Sequence, residues 1–133
     1  MGTALHHIAL VCRDPEETHR FYGEHLGFRL VCTEVQTGQP ESFDTAISTG
    51  LGLPAWVNHI ALRRSLDELP AIKARLEEHG VAPTMEIDHG WCTSLYYTDP
   101  NGNMIEFCAD TSGMPVDEDE ARRLLTSLPA DAT

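Results

Sequence analysis

Two mainly apolar runs of the chain have nearly the same order of apolar and polar positions, 52 residues apart. Residues 5–10 have the sequence LHHIAL, and residues 57–62 have the sequence VNHIAL. Each run is typical of a β-strand, and each is followed by apolar positions at helical spacing. The repeat therefore predicts two modules with one order of elements, a strand, a helix and then further strands. The first module covers about residues 4–54 and the second about residues 55–110.

Capping residues mark one helix in each module. Asp14 followed by Pro15 predicts the start of the first helix, and Gly27 predicts its end. Ser65 opens a second capping pattern, and Gly80 ends that helix. Between these positions the apolar stripes are Phe21, Tyr22 and Leu26 in the first helix and Leu69, Ile72 and Leu76 in the second.

Strands are predicted after each helix. In the first module they cover residues 28–35 and 43–48, and a last strand near residues 51–54 is short or absent because of its glycine and proline. In the second module they cover residues 83–87, 92–98 and 103–108. The tail, residues 111–133, predicts a C-terminal helix with Leu124, Leu125 and Leu128 on one face.

The turn between the last two strands sets which residues oppose each other. Residues 99–102, with the sequence DPNG, are a strong turn signal. If Gly102 is a left-handed bulge residue, the loop has three residues and Tyr96 opposes Glu106. Tyr96 then shares a face with Ser94. A two-residue loop shifts the register by one position and presents Tyr97 instead.

Three residues of the repeat and its last strand predict a metal site. His7 and His59 occupy equivalent strand positions, so a pseudo-two-fold arrangement brings their imidazoles face to face. Glu106 is a charged residue inside the apolar run 103–108, which is costly unless the carboxylate is paired or bound. The alternative for Glu106 is an outward-facing residue on a half-exposed strand. The position that corresponds to Glu106 in the first module is Pro54, so no fourth protein ligand is expected.

Charge and cysteine usage narrow the class of protein. The 133 residues include 9 Lys and Arg and 21 Asp and Glu, a formal net charge of −12. Nucleic acid and anionic membrane surfaces are therefore not expected as partners. With no secretion signal and no apolar stretch long enough to span a bilayer, we expect a cytoplasmic protein. The four cysteines are widely spaced, which favours free thiols over a zinc ribbon or a redox pair.

Taken together, these motifs resemble the vicinal oxygen chelate superfamily, which is also called the glyoxalase, bleomycin-resistance and dioxygenase superfamily. The resemblance extends to about Asp110 and rests on residues 7–10, 14–28, 59–62 and 99–106. It implies an α+β fold in which paired βαβββ modules form an open, metal-lined β-cup, here with the C-terminal helix added. It also implies a small-molecule substrate and a homodimer.

Within that superfamily, the ring-cleaving extradiol dioxygenases are the best match. They hold Fe(II) with two histidines and one glutamate, which corresponds to His7, His59 and Glu106 here. Tyr96 stands where their active-site tyrosine stands relative to the glutamate, and His89 is either an additional acid or base or a turn residue. Mn, Zn and Ni remain open as the metal. One departure is length, because many such dioxygenases are twice as long.

Other members of the superfamily leave alternative functions open. Glyoxalase I enzymes use a second glutamate, and the absence of a carboxylate near Pro54 counts against that lyase and isomerase activity. Fosfomycin transferases have a cationic site, whereas the single lysine here, Lys73, lies on a helix. A drug-binding resistance protein without metal is a further alternative. Arg63 is either a substrate contact or a solvated residue. Trp91 either stacks on a substrate or covers an edge of the core.

Overall fold

A computed structural model of the chain describes residues 10, 12–30, 52, 59–113, 116, 117, 119, 120 and 123. The described elements begin with helix α1 (Pro15–His19), which continues as a π-helical segment (Arg20–His25). They go on with β1 (His59–Arg63), α2 (Glu68–Glu78), β2 (Met85–Asp88), β3 (Cys92–Thr98) and β4 (Met104–Asp110). His7, the strands predicted for the first module and the tail leucines fall wholly or largely outside these residues.

The four described strands form one open sheet in the order β1-β4-β3-β2. Strand β1 runs parallel to β4, and the other neighbours are antiparallel. A parallel pair needs a crossover connection, which α2 and the two intervening strands supply. The second module therefore has the predicted order of strand, helix and three strands, and the α+β class is confirmed.

Helix α1 begins where the capping pattern predicts. The Asp14 carboxylate accepts hydrogen bonds from the backbone N–H groups of Glu16 (2.9 Å) and Glu17 (3.1 Å), and Pro15 is the first helical residue. The pattern predicts a continuous α-helix up to Gly27, and in this respect it is wrong. The chain widens into π-helical geometry over Arg20–His25, a change of hydrogen-bonding partner that side-chain periodicity does not report.

Helix α2 packs against the sheet through its predicted apolar stripe. Leu69 and Leu76 are buried, and Ile72 is partly buried against the same core. At the start of the helix, the Glu68 carboxylate accepts hydrogen bonds from the backbone N–H and the hydroxyl of Ser65, at 2.8 and 2.9 Å. Among the described residues, none of the helices combines the length and apolar character needed to cross a bilayer.

Strands β3 and β4 present different residues on their two faces. The face toward α2 is apolar and consists of Leu95, Tyr97, Ile105, Phe107 and Ala109, all buried. Because side chains alternate along a strand, the neighbouring residues Ser94, Tyr96 and Glu106 face the other way, and they are buried too. One hairpin therefore supports an apolar core and a buried polar cluster.

The first-module helix is tied to the turn of this hairpin. The Tyr22 hydroxyl donates to Asp99 Oδ2 at 2.8 Å, and burial, followed by this contact with Asp99, raises the pKa of Tyr22. Asp99 Oδ1 also accepts from the backbone N–H groups of Asn101 (2.9 Å) and Asn103 (2.7 Å). The backbone N–H of Arg13 donates to Asn101 Oδ1 at 2.8 Å. These bonds fix the turn that sets the register of β3 on β4.

Candidate functional site

The hairpin has the register that the bulged turn predicts. Gly102 has φ +82°, a left-handed conformation that favours glycine, and the Asp99 N–H donates to the Asn103 carbonyl at 2.8 Å. Tyr96 consequently pairs with Glu106. The alternative with Tyr97 on this face is excluded, since Tyr97 is packed in the core beneath α2.

Strand β1 brings His59 to Glu106. In the parallel β1–β4 pair, Ala61 lies opposite Glu106, and the His59 side chain reaches forward to the carboxylate. His59 Nε2 lies 3.0 Å from Glu106 Oε2. The His59 side chain is 37% exposed, whereas that of Glu106 is 7% exposed. A buried carboxylate therefore lies directly behind an imidazole that solvent can reach.

The other oxygen of Glu106 is held by two hydroxyls of β3. Ser94 Oγ donates to Glu106 Oε1 at 2.6 Å, and the Tyr96 hydroxyl donates to the same oxygen at 3.1 Å. The shorter distance is typical of an O–H group that donates to an ionised carboxylate. Burial of this charge, which would otherwise be unfavourable, is thus offset by hydrogen bonds.

His89 extends the cluster through Tyr96. Its Nε2 lies 3.1 Å from the Tyr96 hydroxyl. Since the phenol donates its proton to Glu106, His89 Nε2 acts as the donor in this contact, which places a proton on that nitrogen. Burial, followed by the hydrogen bond and charge of Glu106, raises the pKa of Tyr96, so the phenol stays protonated.

Both interpretations of His89 describe part of its environment. Its backbone N–H donates to the Cys92 carbonyl at 2.9 Å, as expected for a turn residue. Its imidazole nevertheless points to Tyr96, and the Trp91 ring lies 6.0 Å away.

Arg63, by contrast, is solvated: its side chain is 85% exposed and pairs with Asp110 at 3.3 Å. The interpretation of Arg63 as a surface residue therefore describes it correctly.

The spacing of His59 and Glu106 fits a shared metal ion. Two ligands at roughly 2.1 Å from a metal, in adjacent octahedral positions, lie about 3.0 Å apart. The Nε2–Oε2 distance is 3.0 Å. Imidazole nitrogen and carboxylate oxygen are both donors that Fe(II), Mn(II) and Zn(II) accept. Within the described ranges no group of three His, Cys, Asp or Glu residues could hold a metal, and the third predicted ligand, His7, lies outside them.

The sequence places Ser94 on this face but does not predict its contact with Glu106. The predicted register contained the signal, because Ser94 lies two residues before Tyr96 on the same strand face. The free thiols are confirmed for Cys12, Cys92 and Cys108, while Cys32 lies outside the described residues. Cys92 Sγ lies 3.9 Å from Ser94 Oγ, at the edge of the polar cluster.

Comparison with known proteins identifies the family of the chain. A sequence model described as the glyoxalase/bleomycin resistance protein/dioxygenase superfamily matches residues 4–107. The chain is 44% identical over 41 residues to biphenyl-2,3-diol 1,2-dioxygenase 3 of Rhodococcus globerulus, which is 31% of this chain and 22% of that protein. It is 27% identical over 138 residues to glyoxylase I 4 of Arabidopsis thaliana, covering 86% of this chain and 74% of that protein. The chain thus spans less than a quarter of the dioxygenase.

Solved structures show the same fold. TnmS3, an antibiotic binding protein from Streptomyces sp. CB03234, superimposes with a TM-score of 0.59 at 24% identity. The match covers 83% of this chain and 100% of TnmS3. At this level of identity the likeness concerns the fold and leaves the reaction open.

Proposed function

Since the chain belongs to the glyoxalase/bleomycin resistance protein/dioxygenase superfamily, we propose that it is a metal-dependent enzyme that binds its substrate through adjacent oxygen atoms. The reaction that we propose is extradiol cleavage of an aromatic diol by dioxygen. The observation that carries this proposal is the buried Glu106 carboxylate, 3.0 Å from His59 Nε2 and hydrogen-bonded to Tyr96. A carboxylate beside an imidazole and a phenol supplies a metal ligand and a proton donor in one cluster.

The proposed ligands are His7, His59 and Glu106. His7 enters through the repeat, which places it at the position equivalent to His59. Two histidines and one carboxylate on one side of a metal form the ligand set of non-haem Fe(II) oxygenases, and they leave positions open for a substrate. When bound, Fe(II) supplies the redox chemistry that joins a diol to dioxygen.

Tyr96 and His89 are proposed to handle protons. The raised pKa of Tyr96 keeps its hydroxyl available as a hydrogen-bond donor toward a substrate oxygen. His89 is exposed and contacts the Tyr96 hydroxyl through Nε2, so it can exchange protons with solvent while Tyr96 stays buried. In this arrangement Tyr96 orients the substrate and His89 acts as acid or base behind it.

Charge and family properties extend the proposal to substrate and assembly. A net charge of −12 disfavours strongly anionic substrates, so we expect a neutral diol. Members of the family commonly form dimers that bind small molecules, and we propose a homodimer in the cytoplasm.

A glyoxalase-type isomerase is the second candidate. It is favoured by the relative that aligns over 86% of the chain, glyoxylase I 4 of Arabidopsis thaliana. Against it stands the absence of Asp and Glu between Asp44 and Asp67, where a second carboxylate ligand would be expected. That reaction moves a proton within a hemithioacetal and consumes no dioxygen, so one assay separates the two candidates.

The test is oxygen uptake by protein loaded anaerobically with Fe(II), with catechol and biphenyl-2,3-diol as substrates. We expect dioxygen consumption that matches the appearance of a ring-cleaved product. Glu106→Gln is the matched control, because glutamine keeps the size and the acceptor oxygen of Glu106 but lacks its charge. Isomerisation of a hemithioacetal without oxygen uptake would replace the proposal by the second candidate. Tight binding of a drug by protein that takes up no metal would replace it by a binding function.

A further inference from the structure

The two oxygens of the Glu106 carboxylate have different partners. Oε1 accepts hydrogen bonds from Ser94 at 2.6 Å and from Tyr96 at 3.1 Å. Oε2 is the oxygen that faces His59, with Nε2 at 3.0 Å. Oε1 thus faces the two hydroxyls of β3, and Oε2 faces the partly exposed imidazole of His59.

The lone pairs of the two oxygens show which of them remains available to bind a metal ion. A carboxylate oxygen has about two acceptor directions, and the two hydroxyls use both of those on Oε1. Oε2 keeps its directions on the side of His59. A metal ion bound beside His59 therefore finds one usable oxygen on Glu106 and not two.

We propose that Ser94 is a positioning residue that makes Glu106 a one-oxygen ligand of the metal. This inference rests on the proposed function, because it assumes that Glu106 and His59 share a metal. Ser94 is the stronger of the two anchors. It is fully buried, and its bond to Oε1 is the shorter of the two.

Tyr96 alone would hold the carboxylate less firmly. Its hydroxyl is shared with His89, and in the proposed reaction it also turns toward a substrate. The proposed reaction, by contrast, gives Ser94 no contact with the substrate. The bond from Ser94 keeps Oε1 occupied while Tyr96 changes partners. We therefore assign the positioning of Glu106 to Ser94.

The consequence concerns the number of positions left for substrate. Three one-oxygen or one-nitrogen ligands leave three positions of an octahedral metal open, enough for the two oxygens of a diol and one further molecule. A carboxylate that binds through both oxygens takes one of these three. Ser94 therefore preserves the site for a substrate that chelates through two adjacent oxygens.

The test compares wild type, Ser94→Ala and Tyr97→Phe, each loaded with Mn(II) alone. Tyr97→Phe is the matched control, since it removes a buried hydroxyl from the same strand on the opposite face. Infrared difference spectra of protein with isotopically labelled glutamate report the separation of the two carboxylate stretches, which is wide for one-oxygen and narrow for two-oxygen binding. Magnetic resonance in labelled water counts the water molecules on the Mn(II).

We expect the wide separation and about three waters in wild type and in Tyr97→Phe, and a narrowed separation with about two waters in Ser94→Ala. Ser94→Thr, which restores a hydroxyl, is expected to restore the wide separation. An unchanged spectrum and water count in Ser94→Ala would overturn the role of Ser94 while leaving the metal site intact. If wild type binds no Mn(II), the proposed function fails first, and with it this inference.

Circular dichroism checks that Ser94→Ala folds. Should it not fold, Tyr96→Phe removes the other donor to Oε1 and is read in the same way. Tyr96→Phe is expected to narrow the separation of the two carboxylate stretches by less than Ser94→Ala would. No change at all would count against the argument that the two hydroxyls keep Oε1 from the metal.

Discussion

Tyr96 and Tyr97 are consecutive buried residues, but their hydroxyls lie in different environments. The Tyr96 hydroxyl donates to Glu106 and contacts His89, within a cluster of polar groups. The Tyr97 hydroxyl is fully buried in the core beneath α2, and no described residue gives it a hydrogen-bond partner. Tyr96 therefore belongs to a hydrogen-bond network on one face of the hairpin, whereas Tyr97 packs in the apolar core on the other face.

The difference shows which face of the hairpin carries the buried polar groups. The carboxylate of Glu106, with three hydrogen-bonding neighbours, is not part of the apolar core, which contains Phe107 and Leu76 and lies on the other face. Polar groups buried at such a cost are expected at functional sites. The two faces can be tested separately, since neighbouring residues on β3 and β4 belong to opposite faces.

The largest effect on stability is expected from Phe107→Ala. Loss of this fully buried ring should lower the free energy of unfolding by about 3–5 kcal/mol, measured by urea denaturation. Glu106→Gln, one residue earlier and on the opposite face, should change it by about 1 kcal/mol or less, because the amide oxygen still accepts from Ser94 and Tyr96. Equal losses in the two variants would show that the faces are not separate.

Tyr96→Phe should destabilise the metal-free protein by about 1–2 kcal/mol. The change removes a hydrogen bond to a buried carboxylate and leaves His89 without its contact on the hydroxyl. The measurement is urea denaturation in the presence of a chelator. A variant as stable as wild type would mean that Ser94 alone satisfies Glu106.

Tyr97→Phe should leave stability unchanged or raise it by up to about 1 kcal/mol. Burial raises the pKa of Tyr97 to about 12, so the hydroxyl is a neutral group without a described partner, and its removal costs no hydrogen bond. The same denaturation experiment compares this variant directly with Tyr96→Phe. A loss as large as that of Tyr96→Phe would mean that the Tyr97 hydroxyl has a partner after all.

The smallest effect is expected from a pair of histidines away from the polar cluster. The His25 ring stacks on His79 at 4.2 Å, unlike His59, which faces a carboxylate. Burial, then the charges of His79 and Arg20, lower the pKa of His25, against an opposing effect of Glu24. The unfolded chain then binds the proton more readily, so stability should fall as pH drops below about 6.5.

That pH dependence is measured from urea midpoints between pH 7.5 and pH 5. In His79→Gln the like charge is absent, so the fall in midpoint should be shallower than in wild type. An identical slope in the two proteins would remove the His25–His79 pair as its source.

Much of the second module could be predicted from its residues. The turn at residues 99–102 and the pairing of Tyr96 with Glu106 follow from local rules, and the structure has them. The capping pattern at Ser65 is present only in part, because Glu68 accepts from Ser65 but the N-cap residue, Asp67, makes no side-chain capping bond. Strand β4 runs on to Asp110, beyond the predicted end at Cys108, because backbone pairing with Cys92 continues where the apolar pattern stops.

Other features depend on contacts that no local pattern contains. The π-helical segment Arg20–His25 changes backbone partners without changing the spacing of its apolar residues. The bond from Tyr22 to Asp99 joins residues 77 positions apart. The contact of His89 with Tyr96 depends on how the turn before β3 aims one imidazole. In each case the sequence supplies the right chemical groups, and the folded chain decides which of them meet.

The most direct measurement of the central claim is metal content after anaerobic loading with Fe(II) and removal of unbound metal. The claim is that His59 and Glu106 share one ion on the polar face of the hairpin. We predict one equivalent of iron per wild-type chain and essentially none in His59→Ala, with an unchanged circular dichroism spectrum. One equivalent of iron retained by folded His59→Ala would contradict the claim.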